Sequence, residues 1–229
     1  MPDTQLSRGA LVALCLRRYL AGLVVLGLLL FAPAGTLRYW EAWTYLAILF
    51  VPMGLVFVWL LRHDPVLLER RMRTKEKDQE QSLLIRLGSL CYLLAFLAPG
   101  FDRRFGWSDL PTAAVVAADV LVLLGYGCFV LVLRENSYAS RVVEVEREQR
   151  VVTTGPYAVV RHPMYVAILV MFLFTPLALG SWWGLLPTLP LVAVIVARIR
   201  NEERMLVKDL VGYADYVRVT RYRLVPGVW

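Results

Sequence analysis

The sequence predicts an all-α, polytopic integral membrane protein with five to six transmembrane helices, and three observations carry that expectation. Of the 229 residues, 59% are hydrophobic and the mean hydropathy is +0.58, against ~45–50% on a similar count for soluble domains. The apolar residues gather in runs close to the ~20 residues that cross the hydrocarbon core at a rise of about 1.5 Å per residue. The basic residues cluster at the ends of those runs, on one side of the implied membrane.

Taken in chain order, the apolar runs are residues 19–34, 43–61, 83–99, 112–133, 164–179 and 185–199. The first follows Arg17-Arg18 and ends Ala32-Pro33-Ala34, which mimics a cleaved leader; it is read here as the first span. The last two runs are short. Gly180-Ser181-Trp182-Trp183-Gly184 joins them, so they read as a helical hairpin with aromatic residues at its turn. Pro176, Pro187 and Pro190 are expected to bend it, as transmembrane helices tolerate when neighbours satisfy the freed carbonyls.

Between the spans, residues 62–82 are charged and mixed in sign, an exposed helical connection. Residues 134–163 open with Arg134-Glu135-Asn136-Ser137-Tyr138 and continue into a β-leaning Arg141-Val142-Val143-Glu144-Val145. After Ile199 comes a polar helix with Leu206 and Leu210 at i, i+4 spacing, ended by Gly212. Of 25 basic residues, three precede the first span, six lie between the second and third, five between the fourth and fifth, and seven from Arg198 onward. Only Arg38, Arg103 and Arg104 fall on the other side, while Arg86 sits near the basic end of its span and can snorkel. The split predicts cytosolic termini and cytosolic long loops in a multi-pass protein.

A net charge of +7 suits nucleic acid in many proteins. Here the positive residues flank spans, so anionic lipid headgroups explain them and no nucleic-acid partner is expected. Cys15, Cys91 and Cys128 have no metal-type spacing and read as small buried hydrophobes. With His63 and His162 as the only histidines, a multi-histidine metal site is excluded and no metal is expected. No P-loop and no Gly-x-Gly-x-x-Gly motif opening a helix is present.

Three constellations carry possible chemistry. In the run 155–165, Gly155-Pro156 makes a turn and Pro163 suits a first helical position, so Arg161 and His162 arrive at the mouth of the fifth span. Arg161 reads either as a headgroup anchor or as an anion ligand, and His162 as a cap or a site residue. In the run 198–204, Glu202-Glu203 are costly at a membrane exit unless solvated or paired. Either they form a solvated helix start with nearby basic residues, or one acid points across the hairpin toward Arg161. Glu135-Asn136-Ser137-Tyr138, at the exit of the fourth span, reads as a turn or as a third wall of the same mouth. Asp119 is an intramembrane acid, a functional candidate by default.

Gly155-Pro156-Tyr157, Arg161-His162-Pro163 with Tyr165, Arg198, Glu202-Glu203, Gly212-Tyr213 with Tyr216, and Arg223 before Pro226 together resemble the isoprenylcysteine carboxyl methyltransferase and phospholipid methyltransferase superfamily. The resemblance covers residues 134–229 and leaves 1–133 as N-terminal transmembrane helices. It implies S-adenosylmethionine as methyl donor, bound on the cytosolic side of the C-terminal region without a Rossmann domain. It also implies a lipophilic or small acceptor presenting a carboxylate, amine or thiol, with membrane lipids as partners. By the resemblance, Pro156, Tyr157, His162, Pro163, Tyr165 and a glutamate of the pair, Glu203 among them, shape the cofactor pocket. Arg161 and Glu202 stand nearest the transfer point as catalytic residues, and Asn136 faces the acceptor. Ala167 departs from the glycine that many relatives carry after the tyrosine. Two other readings stand beside this one: an NADPH-dependent reductase of the related sterol reductase fold, and a non-enzymatic membrane protein or transporter centred on Asp119. The sequence leaves the oligomeric state open.

Overall fold

A computed structural model describes residues 6–72, 79–139 and 149–229. Every regular element among them is helical. In chain order they are α1 (Arg8–Ala34), α2 (Trp40–His63), α3 (Pro65–Arg71), α4 (Gln79–Phe105), α5 (Thr112–Glu135), α6 (Pro163–Ala178), α7 (Leu189–Asp209) and α8 (Tyr213–Val219). Single 3₁₀ turns occupy Gly155–Ala158 and Trp183–Thr188. The β-leaning stretch at 141–145 lies outside the described residues.

Five helices are long and apolar enough to cross a membrane: α1, α2, α4 from Ser82, α5, and the segment from Trp183 through α7. The sixth expected span, α6, has 16 residues, about 24 Å of helix against a core of roughly 30 Å. It still runs from the site to the far end of the bundle, where Tyr39 Oη donates to the Leu179 carbonyl (2.6 Å). Large apolar side chains on the spans point outward: Val24, Leu28, Leu55 and Leu124 are 60–67% exposed. Such a surface fits lipid as its solvent.

The hairpin expectation needs a correction in detail. α6 lies chiefly along α5, not α7. The reason is a close approach at Gly125, where a Cβ would stand 2.8 Å from Met171 Cγ and 3.2 Å from the Ala167 carbonyl. Ala167 is fully buried in that crossing, so its methyl contributes packing. α7 meets α6 through Leu191, Ile195 and Ile199, spaced i, i+4, i+8 on one stripe, against Ile168, Leu169 and Phe172. At the far end, buried Asp102 accepts from the Ser108 amide (2.7 Å) and hydroxyl (2.6 Å) and from the Ser181 hydroxyl, which ties the α6–α7 turn to α4.

Helix boundaries also differ from the sequence reading. The polar helix expected after Ile199 is the unbroken continuation of α7 to Asp209. Gly212, at φ +86°, lies beyond that end and starts α8; only a residue without Cβ adopts this conformation cheaply. The connection after α2 holds α3, capped by Asp64, whose carboxylate accepts from the Leu67 amide (2.9 Å), with Pro65 at the first turn. Leu67 and Leu68 of α3 are buried with Leu11, Cys15, Leu60 and Leu133, so α3 is docked to the bundle at its basic side.

Candidate active site

The basic ends of α5, α6 and α7 meet. Gly155, at φ +56°, opens the 3₁₀ turn, and a Cβ there would be 2.9 Å from the Glu135 carboxyl carbon. The last residue of α5 thus docks on the turn and Thr154 donates to Glu135. This turn delivers Tyr157 and then Arg161-His162 to the start of α6. His162 occupies the N-cap and Pro163 the first turn.

Arg161 is 5% exposed. Its Nε donates to Glu203 Oε1 (2.6 Å), and its Nη1 donates to the carbonyls of Thr220 and Arg221 (both 2.8 Å). Glu203 also meets His162 Nε2 (3.2 Å) and accepts from Arg223 Nε (2.7 Å). Burial works against the Glu203 charge, but hydrogen bonds from His162, Arg161 and Arg223 overcome it and hold the carboxyl down at about 2. Glu203 lies on the polar continuation of α7, beyond the apolar stretch that ends at Ile199. The tail is pinned at the same place: the amides of Arg161 and His162 donate to the carbonyls of Tyr222 (2.9 Å) and Arg223 (3.0 Å). Two segments about 60 residues apart in sequence are therefore closed onto each other.

Glu202 faces another way. It accepts from Tyr165 Oη (2.7 Å), which in turn accepts from Arg198 Nε (2.8 Å). Asn136 donates through Nδ2 to Tyr157 Oη (2.8 Å) and accepts from the Tyr138 amide (2.9 Å). Tyr216 Oη donates to the Tyr157 carbonyl (2.7 Å). Burial pushes the Tyr157 phenol up to about 12, so it stays protonated.

These groups surround one cavity of about 600 Å³. Asn136, Tyr157, Arg161, His162, Pro163, Tyr165 and Glu202 line it, joined by Arg71, Tyr213 and Tyr216. Its other wall is apolar and lies between helices: Ile85, Gly88 and Tyr92 of α4, Ile168 and Phe172 of α6, and Leu191, Val194 and Ile195 of α7. Pro156 and Glu203 do not line it. Pro156 shapes the turn that carries Tyr157, and Glu203 stands behind the wall as the counter-charge of Arg161. Asp119, buried on α5, lies away from this cavity, with Oδ1 unpaired among the described residues. The Tyr213 hydroxyl is likewise buried and without a partner among the described residues. Desolvation, then the charges of Glu203 and Glu202, keep it protonated well above the usual phenol range.

Sequence reasoning missed Arg71, Tyr213 and Tyr216 as wall residues, together with the α4 face. The two tyrosines stand in the tail motif, and their i, i+3 spacing in α8 was the available signal. Nothing local marked α4 or Arg71, because packing across the bundle puts them there.

Residues 113–210 match the model of the phospholipid methyltransferase family, one of the membrane methyltransferase superfamily that the motifs resemble. The matched segment runs from α5 through α7 and contains Asn136, the Arg161-His162 loop and the Glu202-Glu203 pair; α3, α4 and α8 lie outside it. No curated protein matches the chain. The family match and the apolar helices support a membrane methyltransferase.

Proposed function

We propose that the protein transfers a methyl group from S-adenosylmethionine to an acceptor held in the bilayer, at a site that opens to the cytosol. The acceptor class is a lipophilic or small molecule presenting a carboxylate, amine or thiol. One observation carries the reading: a single cavity has a polar end built from three motifs and an apolar wall made by three helices, α4, α6 and α7. A site of this shape suits a water-soluble donor entering from the basic side and a lipid-like acceptor entering between helices.

The residues present fit the donor. A cavity of about 600 Å³ is of ligand size. The buried, unpartnered Tyr213 hydroxyl is a donor that a bound nucleoside can satisfy. Asn136, Tyr157, Tyr213 and Glu202 would hold the cofactor, Tyr157 and Tyr213 offering aromatic faces and Glu202 a negative charge near a cationic ligand. When bound, the cofactor supplies an electrophilic methyl on sulfur, the reactivity of the transfer.

The chain's own contribution is placement. Holding two reactants in line is worth roughly 7–11 kcal/mol, and this requires rigid walls. Arg161 supplies that rigidity: it fixes the His162 loop to Glu203 and to the tail. Tyr165 and Arg198 fix the Glu202 carboxylate, so its charge faces the cavity in one orientation. With an amine acceptor, Glu202 is the group positioned to take the released proton. The apolar wall excludes water from the acceptor's reacting end.

Isothermal titration of the purified full chain in detergent tests the reading. S-adenosylmethionine and S-adenosylhomocysteine are expected to bind, and no heat at millimolar ligand overturns the proposal.

A further inference from the structure

The helix ends farthest from the active site enclose a second, smaller cavity of about 120 Å³. Separate parts of the chain build it: Tyr39 and Glu41 at the start of α2, Asp102 and Arg103 at the end of α4, Asp109 in the connection to α5, and Gly180 in the turn after α6. Three of its lining residues are acids and one is a base. Spans begin and end here, so the cavity stands at headgroup depth. Trp43, Phe105, Trp107 and Trp182 are exposed at the same end of the bundle, as aromatic residues are at a membrane–water interface.

The three acids differ. Asp102 is fully engaged with the Ser108 amide and hydroxyl and the Ser181 hydroxyl. Asp109 lies at the exposed rim. Glu41 is 9% exposed and accepts no hydrogen bond among the described residues, and its Oε2 is shut off from solvent. Its ionic neighbour, Arg103 Nη1, stands 3.9 Å from Oε1, beyond hydrogen-bond reach. That guanidinium donates through Nη2 to the Arg38 carbonyl (3.1 Å) and lies over the Tyr39 ring (5.8 Å to the centroid). Gly180 packs against the acid, its Cβ position 3.6 Å from Glu41 Oε1. The chain therefore covers Glu41 without giving it a donor, and a buried carboxyl group in that state is costly until a donor reaches it.

The missing partner is a hydrogen-bond donor, and the acidic lining favours a positive one. A primary ammonium brings the charge and three N–H groups; a quaternary ammonium brings the charge alone. Arg103 adds a second requirement. Its side chain is 43% exposed, with Arg38 and Arg104 also exposed at this end of the bundle. Acid within and arginine at the rim match a headgroup with an ammonium at its tip and a phosphate behind it.

We propose that this cavity binds a membrane lipid whose headgroup joins a primary ammonium to a phosphate, in the leaflet opposite the active site. Glu41 receives the ammonium and Arg103 meets the phosphate. The site is separate from the cavity assigned to methyl transfer and does not rest on that assignment. Because α2, α4 and the turn after α6 all contribute to it, an occupied site holds the far ends of these helices together.

The test melts the full chain in detergent, followed by tryptophan fluorescence, with dioctanoyl phosphatidylethanolamine, dioctanoyl phosphatidylcholine or free ethanolamine added at equal concentration. At ten times its Kd, the ethanolamine lipid is expected to raise the melting temperature by about 3–6 °C, and the choline lipid and free ethanolamine by less than about 1 °C. Glu41→Gln keeps the shape of the side chain and removes the acid; it is expected to lose the rise, and a single cooperative melt without lipid reports its fold. Asp109→Asn, at the exposed rim, is expected to fold as wild type and to show a smaller rise. Equal rises with the two lipids overturn the inference. So does a rise that survives intact in Glu41→Gln, since the lipid then sits elsewhere, the larger cavity included. A matching rise from free ethanolamine overturns the assignment to a lipid. Should Glu41→Gln fail to fold, a wild-type response in Asp109→Asn overturns the inference in its place.

Discussion

Replacing Glu203 with Gln should unfold the site, whereas the same change at Glu202 should leave the fold standing and remove its chemistry. The Glu203 carboxylate serves three donors: Arg161 Nε at 2.6 Å, Arg223 Nε at 2.7 Å and His162 Nε2 at 3.2 Å. A Gln oxygen retains one arginine, and its NH2 then faces another donor. At least one charge-assisted bond is lost, about 1.5–3 kcal/mol. The buried Arg161 charge also loses its counter-ion, and breaking a buried pair costs about 3–5 kcal/mol. A loss near 3 kcal/mol, at about 2–4 °C per kcal/mol for a chain of this length, lowers the melting temperature on the order of 10 °C. In Glu202→Gln, Tyr165 still donates to the amide oxygen and Arg198 still donates to Tyr165, so stability stays within about 1 kcal/mol. Tryptophan-fluorescence melting in detergent, paired with S-adenosylhomocysteine titration, separates the two. A Glu203→Gln protein that melts with wild type, or a Glu202→Gln protein that falls as far, refutes this division of roles.

Three further outcomes follow from the geometry. A Cβ at Gly88 stands 3.6 Å from Leu191 Cδ1 and from Val194 Cγ1, so Gly88→Phe fills the α4–α7 side of the cavity; binding of hexadecanoate and of its amide should both drop about 10-fold or more while S-adenosylhomocysteine still binds, and unchanged lipid binding removes this wall from the acceptor site. Gly125→Leu forces α5 off Met171 and the Ala167 carbonyl, an overpacking cost of about 1–3 kcal/mol visible as a lower melting temperature, with Gly127→Ala as a neutral control because nothing lies within 4 Å of a Cβ there. Acid should loosen the tail: the Glu203 value of about 2 lies below the ordinary 4.5, so its pairing supports the fold fully above 4.5 and the support fades as pH falls toward 2. Melting temperatures of wild type should fall across that window, and those of Glu203→Gln should fall less; parallel curves refute the assignment.

Membrane class, helix order and the meeting of two motifs were legible because each rests on a local signal. Runs of apolar residues write spans, Pro163 writes a helix start, and the Gly180–Gly184 turn reverses the chain so that Arg161 and the acid pair reach one side. Helix ends were less legible. α7 passes from membrane to polar surroundings without a break because Arg200, Asn201 and Arg204 are acceptable helix formers, and only Gly212 interrupts the pattern.

The roles of Glu202 and Glu203 were not separable from the sequence, for a geometric reason. Neighbours on a helix project about 100° apart, so when one faces the cavity the other must face elsewhere. Which one does so depends on the partner that the chain brings up behind the helix. Here that partner is the tail, whose Thr220 and Arg221 carbonyls fix Arg161 and whose Arg223 fixes Glu203. The same logic applies to Arg71. In sequence it is one arginine of a charged connection, indistinguishable from its neighbour Arg70. In the fold the two diverge, Arg70 to the Ser137 carbonyl and Tyr138 ring, Arg71 to the Ala139 carbonyl and the cavity wall. The motif therefore records which polar side chains gather at this end of the bundle, and long-range closure decides which of them line the cavity.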